Sequence, residues 1–356
     1  MNIEKREQLQ KYVAENKYYS GCIWYLAPRF GKIKTTFNLC YYKNFTNILV
    51  LAPRTEIFDS WKKDKEFFNF SSNLSFATFD RCKKPITEKY DLVVVDEIHE
   101  ASIKELEAIY EVIRNRESLA LTGTMTNKTK NNILYKTGMT VSYEYLIPQA
   151  VKDGILSDYE INIHTISLNS TQNIVKTTKG LVSEKKRYEQ LTWLKDKLTN
   201  EQKPTFFIDL KIMSLLQNSL AKKEKTIQLL KKYQNERILV FCGLTEIADS
   251  LNIPSYHSKN KDIETFKSFC EGNGNHMATI KLAQSGVTIK PINRGLVNYM
   301  SGNPEDSAQK ICRFLGIEYG NPDKKAIIDI IVSDTDFEKD RLKTALMFFE
   351  EDKIKY

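Results

Sequence analysis

Four short runs of uninterrupted apolar residues punctuate the first third of the chain: CIWYLA (22–27), NILVLAP (47–53), DLVVVDE (91–97) and SLALTG (118–123). A strand that is apolar at every position must be covered on both faces, which a sheet with one wet side does not require. Stretches of helical period separate the runs, FDSWKKDKEFF (58–68) and SIKELEAIYEVIRN (102–115) among them. Strand–helix alternation of this kind predicts a parallel, doubly wound α/β sheet. Near residue 165 the pattern gives way to Lys-rich helical sequence. Two helices are expected there, RYEQLTWLKDKL (187–198) and KIMSLLQNSLAKKEKTIQLLKKYQ (211–234). Apolar strands then return as RILVFC (237–242), MATIKLA (277–283), GLVNYM (295–300) and AIIDIIV (326–332). The expected organisation is two α/β lobes, 1–164 and 236–356, joined by a basic helical connector, 165–235.

Length and charge agree with that division. A chain of 356 residues can bury two or three separate cores. Its formal net charge of +8 is concentrated: residues 161–236 hold 14 basic and 7 acidic side chains, and the flanking segments are close to neutral. Such a stretch either attracts phosphates or forms a solvated Lys-rich face. No run of about 18 apolar residues occurs, so no membrane partner is expected. The polar start of the sequence has no apolar core of a signal peptide. The six cysteines are scattered without a CxxC, which argues against a zinc ribbon and a disulfide framework.

Two segments carry chemistry. APRFGKIKTTFNL (27–39) follows an apolar strand and precedes a helical pattern. Backbone amides, a helix N-terminus and one lysine can hold phosphates at such a turn. The candidate positions are Arg29, Phe30, Gly31, Lys32, Ile33, Lys34 and Thr35. The full G-x-x-x-x-G-K-[ST] pattern is not met, since only Gly31 and Lys32 match, so an ordinary strand–helix turn remains open. LVVVDEIHEA (92–101) places Asp96 and Glu97 at the C-terminal end of a buried strand, the edge where open α/β sheets bind ligands. One carboxylate can hold Mg²⁺ through water while its neighbour activates an attacking water. Capping of the next helix would need only one of them. Two in tandem beside His99 favour catalysis.

Together these segments resemble superfamily 2 DExH-box helicases. APRFGKIKTT, NILVLAPRTEIFDSW, DLVVVDEIHEA and LALTGT look like motifs I, Ia, II and III. ERILVFCGLTEIADSL (236–251), MATIKLAQSGVTI (277–289) and SAQKICRFLG (307–316) look like motifs IV, V and VI. YEYLIPQAVKDGILSDYEI (143–161) is similar to the segment after motif III in phage-type and restriction-type members. The resemblance implies two RecA-like lobes with ATP and Mg²⁺ between them and single-stranded nucleic acid across their tops. Lys32 would contact the β- and γ-phosphates, Asp96 would position Mg²⁺ through water, and Glu97 would activate water. Gln309 and Arg313 would reach the γ-phosphate from the second lobe. Thr122 and Thr124 would couple hydrolysis to movement, and Arg54 would meet the nucleic-acid backbone. Gly286 and Thr288 fall in the motif V turn.

Several positions depart from the family. Ile33 removes the usual Mg²⁺-binding hydroxyl, and Arg29 stands where relatives often have glycine. Cys312 replaces a glycine, and Gly316 occupies the place of the second motif VI arginine. The expectation is an ATP hydrolase of the DNA helicase or translocase type, acting on single-stranded or forked DNA, with RNA the other candidate partner. A non-hydrolysing or weakly hydrolysing, ATP-gated nucleic-acid clamp or accessory subunit is the alternative, and a one-lobe P-loop kinase or GTPase ranks behind both. The expected location is the cytoplasm, that of the host for a phage protein, a source to which the Lys-, Asn- and Ile-rich composition also points.

Overall fold

In the computed structural model, residues 3–280, 289, 290, 292, 294–301, 303–317 and 324–356 are described. The chain alternates as its apolar runs require: α1 (Ile3–Asn16), β1 (Cys22–Leu26), α2 (Lys32–Lys43), β2 (Asn47–Ala52), α3 (Glu56–Phe67), β3 (Asn73–Thr78), β4 (Leu92–Asp96), α4 (Ile103–Ile113), β5 (Ser118–Thr122), α5 (Asn127–Thr137), β6 (Thr140–Tyr145) and α6 (Ile147–Lys152). The six strands form one sheet in the order β3-β2-β4-β5-β1-β6, every pairing parallel. All residues of β1, β4 and β5 are buried, which is why those segments are apolar apart from Asp96, Ser118 and Thr122 at strand ends. The sequence did not announce β3 and β6. They lie at the sheet edges, where half-exposed positions allow polar residues into the run.

Parallel pairing brings the C-terminal ends of β1, β4 and β5 to one edge. Tyr25 pairs with Thr122 and Asp96 with Leu121, so β5 sits between the loop after β1 and the acidic pair after β4. Against one face, α4 buries Leu106, Ile109, Val112 and Ile113 over Leu49, Leu51, Val93 and Val95. Its start is fixed by a reciprocal cap, in which Ser102 accepts from the Glu105 amide and Glu105 accepts from the Ser102 amide.

The rest comprises β7 (Asp158–Ile166), β8 (Val175–Thr177), β9 (Gly180–Val182), α7 (Glu184–Asn200), α8 (Phe206–Gln217), α9 (Leu220–Lys232), β10 (Ile238–Phe241), α10 (Thr245–Asp249), β11 (Ser255–Tyr256), α11 (Ile263–Cys270), β12 (His276–Thr279), β13 (Arg294–Val297), α12 (Pro304–Cys312), β14 (Lys325–Ser333), α13 (Asp336–Leu346) and β15 (Ile354–Lys355). A second sheet runs β11-β12-β10-β13-β14-β7-β15, and β8 and β9 form a small hairpin. Two compact units result. The first takes the described residues up to 158 together with 304–317 and 324, so it includes α12; the second takes 159–280, the described residues between 289 and 303, and 325–356. Residues 165–235 fold within the second unit.

The long helix expected over 211–234 is broken at Ser219. Its hydroxyl accepts from the Lys222 amide and donates to Glu184, which also accepts from the Leu220 amide at 2.6 Å, so a cap replaces a continuous turn. Lys222 is fully buried and paired with Glu338. Among the described residues, no helix is long and apolar enough to cross a membrane.

Candidate functional site

The loop after β1 is shaped by two residues in the left-handed region, Arg29 (φ 65°) and Gly31 (φ 94°). A Cβ on Gly31 would meet Gln10 Nε2 at 2.3 Å, so glycine is required there for space as well as for backbone angle. Gln10, buried on α1, donates Nε2–H to the Phe30 carbonyl at 2.6 Å and braces the loop from behind. Phe30 itself is a core residue against Tyr145. Gly31 caps α2 without a side-chain hydrogen bond, which leaves the first-turn amides of Lys32, Ile33 and Lys34 without a cap side chain. Thr35 and Thr36 turn their hydroxyls onto the Gly31 and Lys32 carbonyls, each at 3.0 Å.

Lys32 crosses the sheet edge to Glu97, with Nζ 2.5 Å from Oε1. Burial works to lower the Lys32 pKa, but Glu97 and Asp96 outweigh it and leave it raised. Burial likewise works to raise Glu97, and Lys32 and His99 bring it below the ordinary carboxylate value. The other oxygen, Glu97 Oε2, is buried without a hydrogen-bond partner among the described residues, and His99 Nδ1 lies 3.4 Å away. Glu97 sits at φ 51°, a strained position at the strand end that costs a non-glycine residue on the order of 1–3 kcal/mol.

Asp96 is held from both sides. The Glu97 amide donates to Oδ1 at 3.0 Å and Trp61 Nε1 donates to Oδ2 at 2.9 Å. Burial pushes its carboxyl up to about 6, against the pull of Lys32. Trp61, fully buried on α3, is a site residue that the sequence analysis missed; its only signal was an apolar aromatic on the inner face of that helix.

His99 connects three segments. Nδ1 is 2.9 Å from Thr122 Oγ1, and Nε2 is 3.1 Å from Gln309 Nε2 on α12. Thr122 gives its own proton to the Thr124 carbonyl at 2.7 Å. One neutral tautomer satisfies all three bonds, with Nδ1–H donating to Thr122 and Nε2 accepting from Gln309. Burial, which lowers the His99 pKa, favours that neutral form. The N-terminus of α12 is anchored as well, since Glu305 accepts from the Thr126 amide at 3.0 Å and from Thr129 Oγ1 at 2.7 Å at the start of α5.

Lys32, Asp96, Glu97, Thr122 and Gln309 are thus brought together, and Arg29 reaches Arg313, donating to its carbonyl at 3.0 Å. Thr124 Oγ1 bonds the Glu305 carbonyl at 3.5 Å. Arg54 pairs with Glu100 at 2.8 Å, next to the acidic box. Ile33 and Lys34 form the first turn of α2. Gly286 and Thr288 lie outside the described residues.

The arrangement fits a nucleotide triphosphate. It combines uncapped helix amides, a lysine, an orphaned carboxylate oxygen and two arginines at one sheet edge. Among the described residues no three His, Cys, Asp or Glu side chains are grouped to hold a metal, so an ion here would depend on Asp96, water and phosphate oxygens.

No protein-family model matches the chain, and no curated protein matches it. Solved structures do. A fragment assigned to the HsdR subunit of a type I restriction enzyme from Vibrio vulnificus YJ016 matches with a TM-score of 0.61 and 15% identity over 99% of this chain, which spans 66% of that one. An S. cerevisiae Dbp5 variant bound to RNA and ADP BeF3 matches with a TM-score of 0.60 and 10% identity, covering 99% of this chain and 88% of that one. The Pyrococcus furiosus Hef helicase domain matches with a TM-score of 0.51 and 11% identity over 96% and 97% of the two chains. At these identities the likeness is one of fold. The chain shares the fold of these structures, its two α/β layers matching their two RecA-like lobes.

Proposed function

We propose that the chain is an ATP-dependent helicase or translocase of the DExH type that acts on DNA, single-stranded or forked. The observation that carries this is Glu97: one oxygen is held by Lys32, and the other is buried with no hydrogen-bond partner among the described residues, an acceptor left for a water. Lys32 and the first-turn amides of α2 would hold the phosphates, and Asp96, fixed by Trp61, would orient water on Mg²⁺. The ion, when bound, would neutralise charge building on the transferred phosphoryl group. Glu97 Oε2 would take the proton of the attacking water. Gln309, tied through His99 to Thr122, would carry the state of the nucleotide into β5. The HsdR, Hef and Dbp5 structures support a nucleic-acid-acting role for this fold, and the restriction-type likeness supports DNA.

A second reading, a weakly hydrolysing or non-hydrolysing ATP-gated clamp, has its own observation. Ile33 offers no hydroxyl, and Thr35 and Thr36 have turned theirs onto helix carbonyls. ATP turnover with and without single-stranded DNA, forked DNA and RNA decides between the two, beside Lys32→Ala and Glu97→Gln. The enzyme requires DNA-stimulated turnover that both variants abolish. Equal turnover in all three proteins sinks it, and ATP-dependent DNA retention without turnover establishes the clamp.

A further inference from the structure

Arg29 and Gly316 both depart from the family pattern, and in the folded chain they occupy one place. A Cβ on Gly316 would lie 2.3 Å from Arg29 Nη1 and 2.6 Å from its Cζ. Gly316 is not in the left-handed region, so the feature in use is its missing side chain and not its backbone freedom. The turn that carries it is pinned: Ser157 Oγ donates to the Gly316 carbonyl at 2.9 Å, and the Ser157 amide donates to the Leu315 carbonyl at 2.9 Å. Arg29 keeps a left-handed backbone that disfavours any residue with a Cβ, and its side chain extends into this space to donate to the Arg313 carbonyl.

The charges are left open. Arg54 has Glu100, whereas among the described residues neither Arg29 nor Arg313 has an ion pair, and both side chains are exposed. Desolvation, followed by the positive charges of Arg29 and Arg54, lowers the Arg313 pKa. Guanidiniums without a carboxylate partner gain from an anion, and their forked donors suit phosphate oxygens.

We infer that Arg29 supplies from the phosphate loop the second arginine that is absent at position 316, and that it contacts the terminal phosphate of a bound nucleoside triphosphate beside Arg313. This rests on the proposed nucleotide site. The competing role for the same bond is a plain cap on the C-terminal carbonyls of α12.

Single-turnover ATP hydrolysis, ATP and ADP binding, and thermal unfolding of wild type, Arg29→Ala, Gly316→Ala and the double variant separate the two. Each single change should slow hydrolysis about 10²-fold with KM little altered. The double variant should be no slower than Arg29→Ala, because the added methyl acts only by displacing the guanidinium. Exchanging the pair, Arg29→Gly with Gly316→Arg, should recover about tenfold over Arg29→Gly alone. The preference for ATP over ADP should shrink about tenfold in both single variants. Additive losses, or a fall in thermal stability with hydrolysis and preference unchanged, would make Arg29 a cap and overturn the assignment. If wild type hydrolyses ATP no faster than Lys32→Ala, the enzyme proposal fails. The ATP-over-ADP preference then decides Arg29: retained in Arg29→Ala, it overturns the contact.

Discussion

Each unit contains a buried lysine–glutamate pair, and the two are finished differently. Lys222 meets Glu338 with both side chains almost wholly buried, and the second Glu338 oxygen accepts from the Ser333 amide at 2.6 Å and hydroxyl at 2.7 Å. Lys32 meets Glu97 with side chains 15% and 20% exposed, and among the described residues the second Glu97 oxygen has no hydrogen-bond partner, only His99 Nδ1 at 3.4 Å. A completed pair ties helices to a strand. An incomplete one leaves an acceptor, which the proposed function assigns to water. Arginines divide in the same way: Arg294 is held by Glu236 at 2.7 Å and Asp329 at 2.6 Å, whereas Arg313 has no carboxylate of its own among the described residues.

Mutations can break that contrast, and the largest effect belongs to the open pair. Lys32→Ala and Glu97→Gln should each lower DNA-stimulated ATP turnover about 10³-fold while the fold survives, read by steady-state kinetics beside circular dichroism. Lys222→Met reverses the pattern. Glu338 would be left buried without its cation, which should cost about 3–5 kcal/mol in denaturant unfolding, with turnover per folded molecule unchanged. If Lys222→Met weakened DNA binding more than stability, the structural role would be wrong.

Asp96 offers a smaller, pH-dependent test. Its folded pKa is raised from 3.8 to about 6, so burial penalises the ionised form in the native state. That penalty is fully present above about pH 6 and disappears as pH falls toward 4. The stability of nucleotide-free wild type relative to Asp96→Asn should therefore rise on acidification through this window. A difference flat across it would mean that the carboxylate is not desolvated. The smallest effect belongs to the half-buried lysines of α9. Lys223→Gln with Lys225→Gln should flatten the salt dependence of DNA binding by about two phosphate contacts if that face meets nucleic acid. An unchanged slope identifies a solvated face.

The parallel α/β fold could be read from β1, β2, β4 and β5 because central strands, covered on both faces, are apolar at all but their end positions. The edge strands β3 and β6 mix polar and apolar residues, and no local signal distinguishes them from loops. Lys32, Asp96 and Glu97 could be identified as candidates because Asp96 ends a recognisable strand, Glu97 follows it, and Lys32 opens the helix after another. Gln10 and Trp61 could not, since each acts through a tertiary contact, 20 and 35 residues distant in sequence, that no spacing rule encodes. Charge counting also reached its limit at Lys222, because a total cannot tell a solvated cation from one sealed against Glu338.

The fit of Arg29 into the gap at Gly316 bears on descent as well as chemistry. Neither position is free to drift by itself: a side chain acquired at 316 would evict the guanidinium, and loss of the arginine at 29 would remove what keeps 316 a glycine. A lineage carrying this chain should therefore change the two sites together or keep both. Their covariation across descendants would record a steric agreement between two segments 287 positions apart.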